Sequence, residues 1–152
     1  MKISRVKIYM KFRYLFLSIF KKYHKSKKNI EDFFKFKLKK KYISLTGMCR
    51  TGFILTLDYL IEKYPEKNEI IICSYNLEEM VDIARIKNFK IKLLDINLKS
   101  GTMSLNEIEQ NCNSKTAAIL FTNMFNDVDQ LIMLKEFCKN KNILLVEDNA
   151  IY

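Results

Sequence analysis

The sequence predicts an α/β fold: a mainly parallel open sheet with helices on both faces, preceded by a basic helical arm. Three observations predict it. From residue 42 onward, short apolar runs alternate with amphipathic stretches of helix length. The intervening segments are long enough for crossover helices, which favour parallel neighbours. Three of the apolar runs, 70–73, 117–121 and 143–146, are almost continuous, which suits strands covered on both faces.

Each element follows from local pattern. Tyr42-Ile-Ser-Leu45 predicts a short strand. A helix over 49–64 follows, because Phe53, Leu57, Leu60, Ile61 and Tyr64 recur at three- to four-residue spacing before Pro65 stops it. Glu69-Ile-Ile-Ile-Cys73 is a buried strand. Asn76 then predicts an N-cap, with Glu79 three residues on, for a helix over 76–87. A strand at 90–95 and a turn at Lys99-Ser-Gly101 lead to Ser104, another capping box with Glu107, and a helix over 105–112. The remaining expectations are a strand at 116–121, a helix at 129–140 and a strand at 142–146. In such a fold ligands bind beyond the carboxyl ends of the strands. The segments to inspect are therefore 46–52, 74–77, 95–97, 122–126 and 147–149.

The charge divides the chain in two. Of 27 Lys+Arg and 17 Asp+Glu, 15 bases and 2 acids lie in residues 1–41, a net +13. Residues 42–152 hold the other 12 bases and 15 acids, a net −3. The expected organisation is a basic, aromatic-rich arm over 1–41 and an α/β body over 42–152. The overall +10 therefore describes the arm and not the body. Cys49, Cys73, Cys112 and Cys138 are 24, 39 and 26 residues apart, and His24 is the single histidine, so no zinc-ligand spacing exists. Isolated cysteines in apolar surroundings suit a reducing compartment, and a cytoplasmic protein is expected.

The arm admits three readings. Its longest charge-free apolar run, 14–20, has seven residues against the roughly 18 a membrane span needs. Lys21-Lys22 follows it where a signal peptide would have small residues. A solvated helix docking on the body or on a partner subunit is one reading. A basic amphipathic helix on anionic lipid headgroups is the second. Nucleic-acid binding by lysines with stacking aromatics is the third. Lysine outnumbers arginine thirteen to two in the arm, which weakens base readout, and no nucleic-acid partner is expected.

Two strand ends carry chemistry. Thr46-Gly-Met-Cys-Arg-Thr-Gly52-Phe enters a helix, so backbone N–H groups, a hydroxyl and a guanidinium converge there as a seat for phosphate, with Gly52 permitting close approach. The Gly-Lys-Ser/Thr ending of a P-loop is missing. Glu147-Asp148-Asn149 ends the last strand, where a carboxylate can hold a metal, pair with a protonated heterocyclic nitrogen, or simply face solvent. Asn142-Ile-Leu-Leu-Val-Glu-Asp-Asn149 also looks like the first strand of a response-regulator receiver, but a receiver needs most of its sheet after that point.

In order and spacing, residues 42–152 resemble the first half of the DegT/DnrJ/StrS sugar aminotransferases, pyridoxal-phosphate (PLP) enzymes of fold type I. Cys49-Arg-Thr-Gly-Phe-Ile-Leu looks like that family's opening of the phosphate-binding helix. Glu69-Ile-Ile-Ile-Cys-Ser-Tyr-Asn-Leu is similar to its Glu-Val-Ile-Val-Pro-Ser-Phe-Thr-aromatic strand and loop. Residues 90–96 resemble its Pro-Val-Phe-Val-Asp-Ile strand, and Val146-Glu-Asp-Asn-Ala its Ile-Glu-Asp-Ala-Ala. The resemblance implies a PLP-transferase-like large-domain half. It places Asp148 at the pyridinium nitrogen, Arg50, Thr51 and Gly52 at the phosphate, and Leu77, with Tyr75 beside it, where the family stacks an aromatic ring.

Asn123 and Asn126 stand where the family's loop has His and Gly, and Ile151 where it has Gln. The family's Schiff-base lysine falls beyond residue 152, so no catalytic residue is assigned and a metal is not implied. The resemblance thus implies a truncated or degenerate aminotransferase of nucleotide-sugar biosynthesis, inactive alone. Its implied partners are a nucleotide sugar, an amino donor and a second subunit. The alternatives are a non-catalytic interaction module whose arm docks on an anionic membrane or partner, and a product that does not fold stably.

Overall fold

The computed structural model describes residues 16, 19, 23–123 and 128–149. The chain divides after Thr46 into two compact units.

In the first unit, helix α1 (Tyr23–Leu38) ends where Lys39 turns to φ 51°, and the Lys40 N–H donates back to the Lys35 carbonyl (3.2 Å). That six-to-one bond closes the last turn and satisfies a terminal carbonyl. The segment expected to be a strand at 42–45 is irregular. Its Leu45 N–H donates to the Glu31 carboxylate of α1 (3.2 Å) and not to a neighbouring strand.

In the second unit, α2 (Cys49–Lys63) buries Phe53, Leu57 and Leu60 and stops at Tyr64, before Pro65. Then come β1 (Glu69–Cys73), α3 (Glu78–Ile86), β2 (Lys90–Leu94), α4 (Leu105–Asn111), β3 (Thr116–Thr122), α5 (Val128–Lys141) and β4 (Leu144–Asp148). The strands form one parallel sheet in the order β2-β1-β3-β4. The predicted fold class is therefore the observed one, with four strands in place of five among the described residues.

The apolar runs serve both faces by alternation. Ile70, Ile72, Ala118 and Leu120 pack with Phe53, Leu57 and Leu60 of α2 and with Met80 and Ala84 of α3. Ile71, Cys73, Ile119 and Phe121 pack with Met103, with Ile108 of α4, and with Leu134 and Cys138 of α5. Successive strand residues point to opposite sides, so a run covered on both faces has no polar position to spare. The same burial pushes the Cys138 thiol up to about 12, which leaves it an inert core residue.

Differences from expectation fall at element ends. Asn142 does not open β4. It sits at φ 52° and terminates α5, with the Ile143 N–H donating to the Cys138 carbonyl (2.9 Å). Asn88 (φ 63°) ends α3 in the same way, through Phe89 to Ala84 (3.0 Å). Asparagine tolerates this left-handed conformation better than most residues. Asn76 does not cap α3, whose N-cap is Leu77, and Ser104 occupies the N-cap of α4 without a side-chain cap bond.

One ion pair ties the amino ends of the strands. Glu69 accepts from Lys92 Nζ (2.8 Å) and from Asn113 Nδ2 (2.7 Å), and Lys92 in particular holds its carboxyl below the usual carboxylate range. A depressed folded-state pKa stabilises at pH values above the unfolded value of about 4.3 and loses that contribution as pH falls through the lower folded value. Glu69→Gln is expected to cost no more than about 1 kcal/mol at pH 7. The difference from wild type in urea midpoint should shrink as pH falls below that unfolded value. A difference that grows on acidification would contradict the assignment.

Candidate functional site

The strand order places a topological switch between β1 and β3. The chain leaves β1 through α3 on one face to reach β2, whereas α4 and α5 return it on the other face to β3 and β4. The carboxyl ends of β1 and β3 therefore flank the switch point, the usual ligand position in such sheets.

Polar side chains line this edge and tie its loops together. Asn76, after β1, donates from Nδ2 to Thr122 Oγ1 at the end of β3 (2.9 Å), while its Oδ1 accepts from the Leu77 N–H (2.7 Å). The Asn76 side chain thus spans the switch point, which is why it does not cap the helix. Ser74 Oγ donates to Asp95 Oδ1 after β2 (3.1 Å). Buried Asn123 fixes the end of β4: its N–H donates to the Asp148 carbonyl (2.9 Å) and its Nδ2 to Asn149 Oδ1 (3.1 Å).

The six residues singled out from the sequence all lie at this edge. Asp148 is the last residue of β4 and half-buried. Its charge reaches the start of α2. Burial first, and then the carboxylate of Asp148, push the Cys49 thiol above its ordinary range. Arg50, Thr51 and Gly52 complete that first turn of α2. Met48, the N-cap, is extended (φ −146°, ψ 150°) and makes no side-chain cap bond, and the first turn holds no acid. A Cβ added at Gly47, two residues before α2, would meet nothing within 4 Å. Helix-start N–H groups with no acid in the first turn favour an external anion.

Other placements differ from a simple phosphate cradle. Arg50 pairs with Glu79 in the first turn of α3 (3.1 Å), both exposed, so the guanidinium bridges two helix starts. Such an exposed pair is worth about 0–1 kcal/mol, and a doubly charged phosphate could draw the arginine away. Tyr75 and Leu77 stand exposed on the β1–α3 loop. Asn126 and Ile151 lie outside the described residues. Among the described residues no cluster of His, Cys, Asp and Glu could hold a metal ion.

Sequence reasoning read Asn76 as a cap and assigned no role to Thr122. An Asn directly after an apolar strand on a switch-point loop was the available signal. A cavity of about 240 Å3 lies at the opposite edge of the sheet, beside Cys112, Asn113 and Lys141. It is remote from the strand carboxyl ends and contributes nothing to this site.

The sequence profile of the DegT/DnrJ/EryC1/StrS aminotransferase family matches residues 18–151. No curated protein matches the chain. Among solved structures, the chain is similar to E. coli GDP-4-keto-6-deoxy-D-mannose-3-dehydratase with bound hydrated PLP. The TM-score is 0.70 at 21% identity, covering 80% of this chain and 32% of that one. It is also similar to Helicobacter pylori PseC, an aminotransferase involved in the biosynthesis of pseudoaminic acid (TM-score 0.57, 15% identity, 65% and 26% covered). A Thermus thermophilus aspartate aminotransferase double mutant aligns with TM-score 0.54 at 12% identity, over 63% of this chain and 27% of that one. The first of these shares its fold with 80% of this chain, which spans about a third of its length.

Proposed function

The chain belongs to the DegT/DnrJ/EryC1/StrS aminotransferase family, and we propose that its second unit supplies the cofactor-holding part of an enzyme that aminates a nucleotide-linked keto-sugar. The observation that carries this reading is that the Asp148 carboxylate, at the strand carboxyl edge, lies close enough to the start of α2 to act on the Cys49 thiol. Those residues fit PLP: one end offers an anion for a ring nitrogen, the other N–H groups and a guanidinium for a phosphate. When bound, PLP supplies a ring that withdraws electron density from a substrate carbon.

The chain's own residues have distinct tasks. Asp148 would keep a proton on the ring nitrogen, its backbone anchored by the Asn123 N–H on the neighbouring strand end. Thr51 and the N–H groups of α2 would hold the phosphate, and Arg50, now paired with Glu79, would be the guanidinium within reach of it. Tyr75 and Leu77, exposed on the β1–α3 loop, would supply apolar contact to the ring. A nucleotide sugar and an amino donor are the substrates of the whole enzyme, and a second copy of the chain is its partner.

The test is titration of the 152-residue chain with PLP, followed by the cofactor's absorbance and 31P resonance, with amino-donor turnover assayed in parallel. Saturable binding without turnover is the expected result, because no lysine of these residues falls in the family's Schiff-base motif. Absence of saturable binding would overturn the site, and turnover of an amino donor would overturn the inactivity.

A second reading is favoured by the exposed aromatic residues of α1. Here the chain is a non-catalytic α/β module whose basic arm holds it to an anionic membrane surface or a partner. A chain that bound no PLP yet docked through its arm would favour this reading over the first.

A further inference from the structure

The first unit presents a face that the chemistry of the second does not use. In α1, Ile30, Phe33, Phe34 and Leu38 fall at positions i, i+3, i+4 and i+8 and so share one side of the helix. All four are exposed, Phe33 at 59% and Leu38 at 54%. The Phe33 and Phe34 rings meet edge to face with centroids 5.5 Å apart. Exposed Phe16 and Ile19 add apolar area earlier in the same unit. Lys37 flanks the stripe, and exposed Lys39, Lys40 and Lys41 follow directly after it, the last over the Tyr42 ring at 5.1 Å. No described helix is long and apolar enough to cross a membrane.

We infer that the Ile30–Phe33–Phe34–Leu38 face of α1 seats on an anionic lipid surface, with its flanking lysines on the headgroups. The inference takes the arm of the second reading above and commits it to one partner, and it holds whether or not the second unit binds PLP. Charge complementarity decides the occupant: a net +13 over residues 1–41 needs an extended anionic field. The apolar content decides against nucleic acid, because Ile30 and Leu38 have no π-face on which a base could stack, whereas both gain from contact with acyl chains. Lysine's long stem also lets its charge reach the headgroups while the aromatics sink below them.

The experiment is co-sedimentation of the full chain with 100-nm vesicles of phosphatidylcholine alone or with 30% phosphatidylglycerol, at low and at 0.5 M salt. Two variants accompany it, Phe33→Gln/Phe34→Gln/Leu38→Gln and Lys37→Gln/Lys39→Gln/Lys40→Gln/Lys41→Gln. All substituted residues are exposed, so circular dichroism and melting should match wild type. Binding is expected only with phosphatidylglycerol. It should fall at least tenfold in each variant, since one lysine near such a surface is worth about a fivefold change in partition. High salt should weaken it strongly.

No binding at low salt, or equal binding to both vesicle types, would overturn the inference. So would binding that survives loss of the apolar face and is competed by RNA, which would mark a general polyanion contact. A chain that is dimeric until the apolar triple substitution makes it monomeric, without effect on vesicles, would assign the face to a second copy instead. Loss of PLP binding alone would leave these outcomes unchanged, so the two proposals fail separately.

Discussion

Asp148→Asn is expected to weaken PLP binding by the chain about ten- to a hundredfold, the range of a charge-assisted hydrogen bond worth about 1.5–3 kcal/mol. The substitution keeps the size of the side chain and its place at the end of β4, where the backbone bond from Asn123 to the Asp148 carbonyl persists. It removes only the negative charge. Two readouts separate this electrostatic role from a structural one. The pKa of the bound cofactor's ring nitrogen, followed by absorbance against pH, should fall in the variant, because an anion favours the protonated ring and a neutral amide does not. The Cys49 thiol should titrate at lower pH, since one of the two causes raising it is removed. Unchanged affinity together with an unchanged ring pKa would take Asp148 out of the site.

Phe121→Ala is expected to destabilise the second unit by about 3–5 kcal/mol, the usual cost of truncating a fully buried phenylalanine. Phe121 is 1% exposed and lies in the cluster formed by Ile71, Leu94, Met103, Ile108 and Leu134, on the central strand β3. Paired with β1 on one side and β4 on the other, β3 has no edge towards which neighbours could relax to fill the void. With a denaturant slope of about 1–3 kcal/mol per molar, the urea midpoint should drop by about one molar or more. The control is Leu98→Ala, at a residue 94% exposed, which should stay within about 0.5 kcal/mol of wild type. Equal midpoints for the two variants would contradict the burial pattern.

The fold class was legible because apolar periodicity reports burial on two faces directly. Ile70-Ile-Ile-Cys73 and Ala117-Ala-Ile-Leu-Phe121 could not be half-exposed strands without placing isoleucine in water. The element ends were less legible. Asn142 looks like the first residue of a strand until the helix before it is seen to need a left-handed terminator. Tyr42-Ile-Ser-Leu45 has strand-forming residues, yet a strand exists only where another offers it hydrogen bonds, and Leu45 bonds a glutamate instead. Capping was misread for a related reason. Asn76 has the right residue type for a cap, but Thr122 lies within its reach, a contact across 46 positions that no local pattern encodes.

The class of fold, the split of charge between a basic N-terminal segment and a mildly acidic remainder, and the colinear motifs that mark the family are all readable from residue order alone. These are properties of local composition and spacing, and they survive without knowledge of any distant contact. Tertiary packing set the strand order, and with it the switch point between β1 and β3. It also decided that Arg50 is held by Glu79, that Asn123 fixes the strand end bearing Asp148, and that the apolar face of α1 is exposed. Each depends on which side chains meet after long loops have closed. Pairing across space is set by packing and hydrogen-bond satisfaction over the whole unit, and a linear pattern carries that information only indirectly.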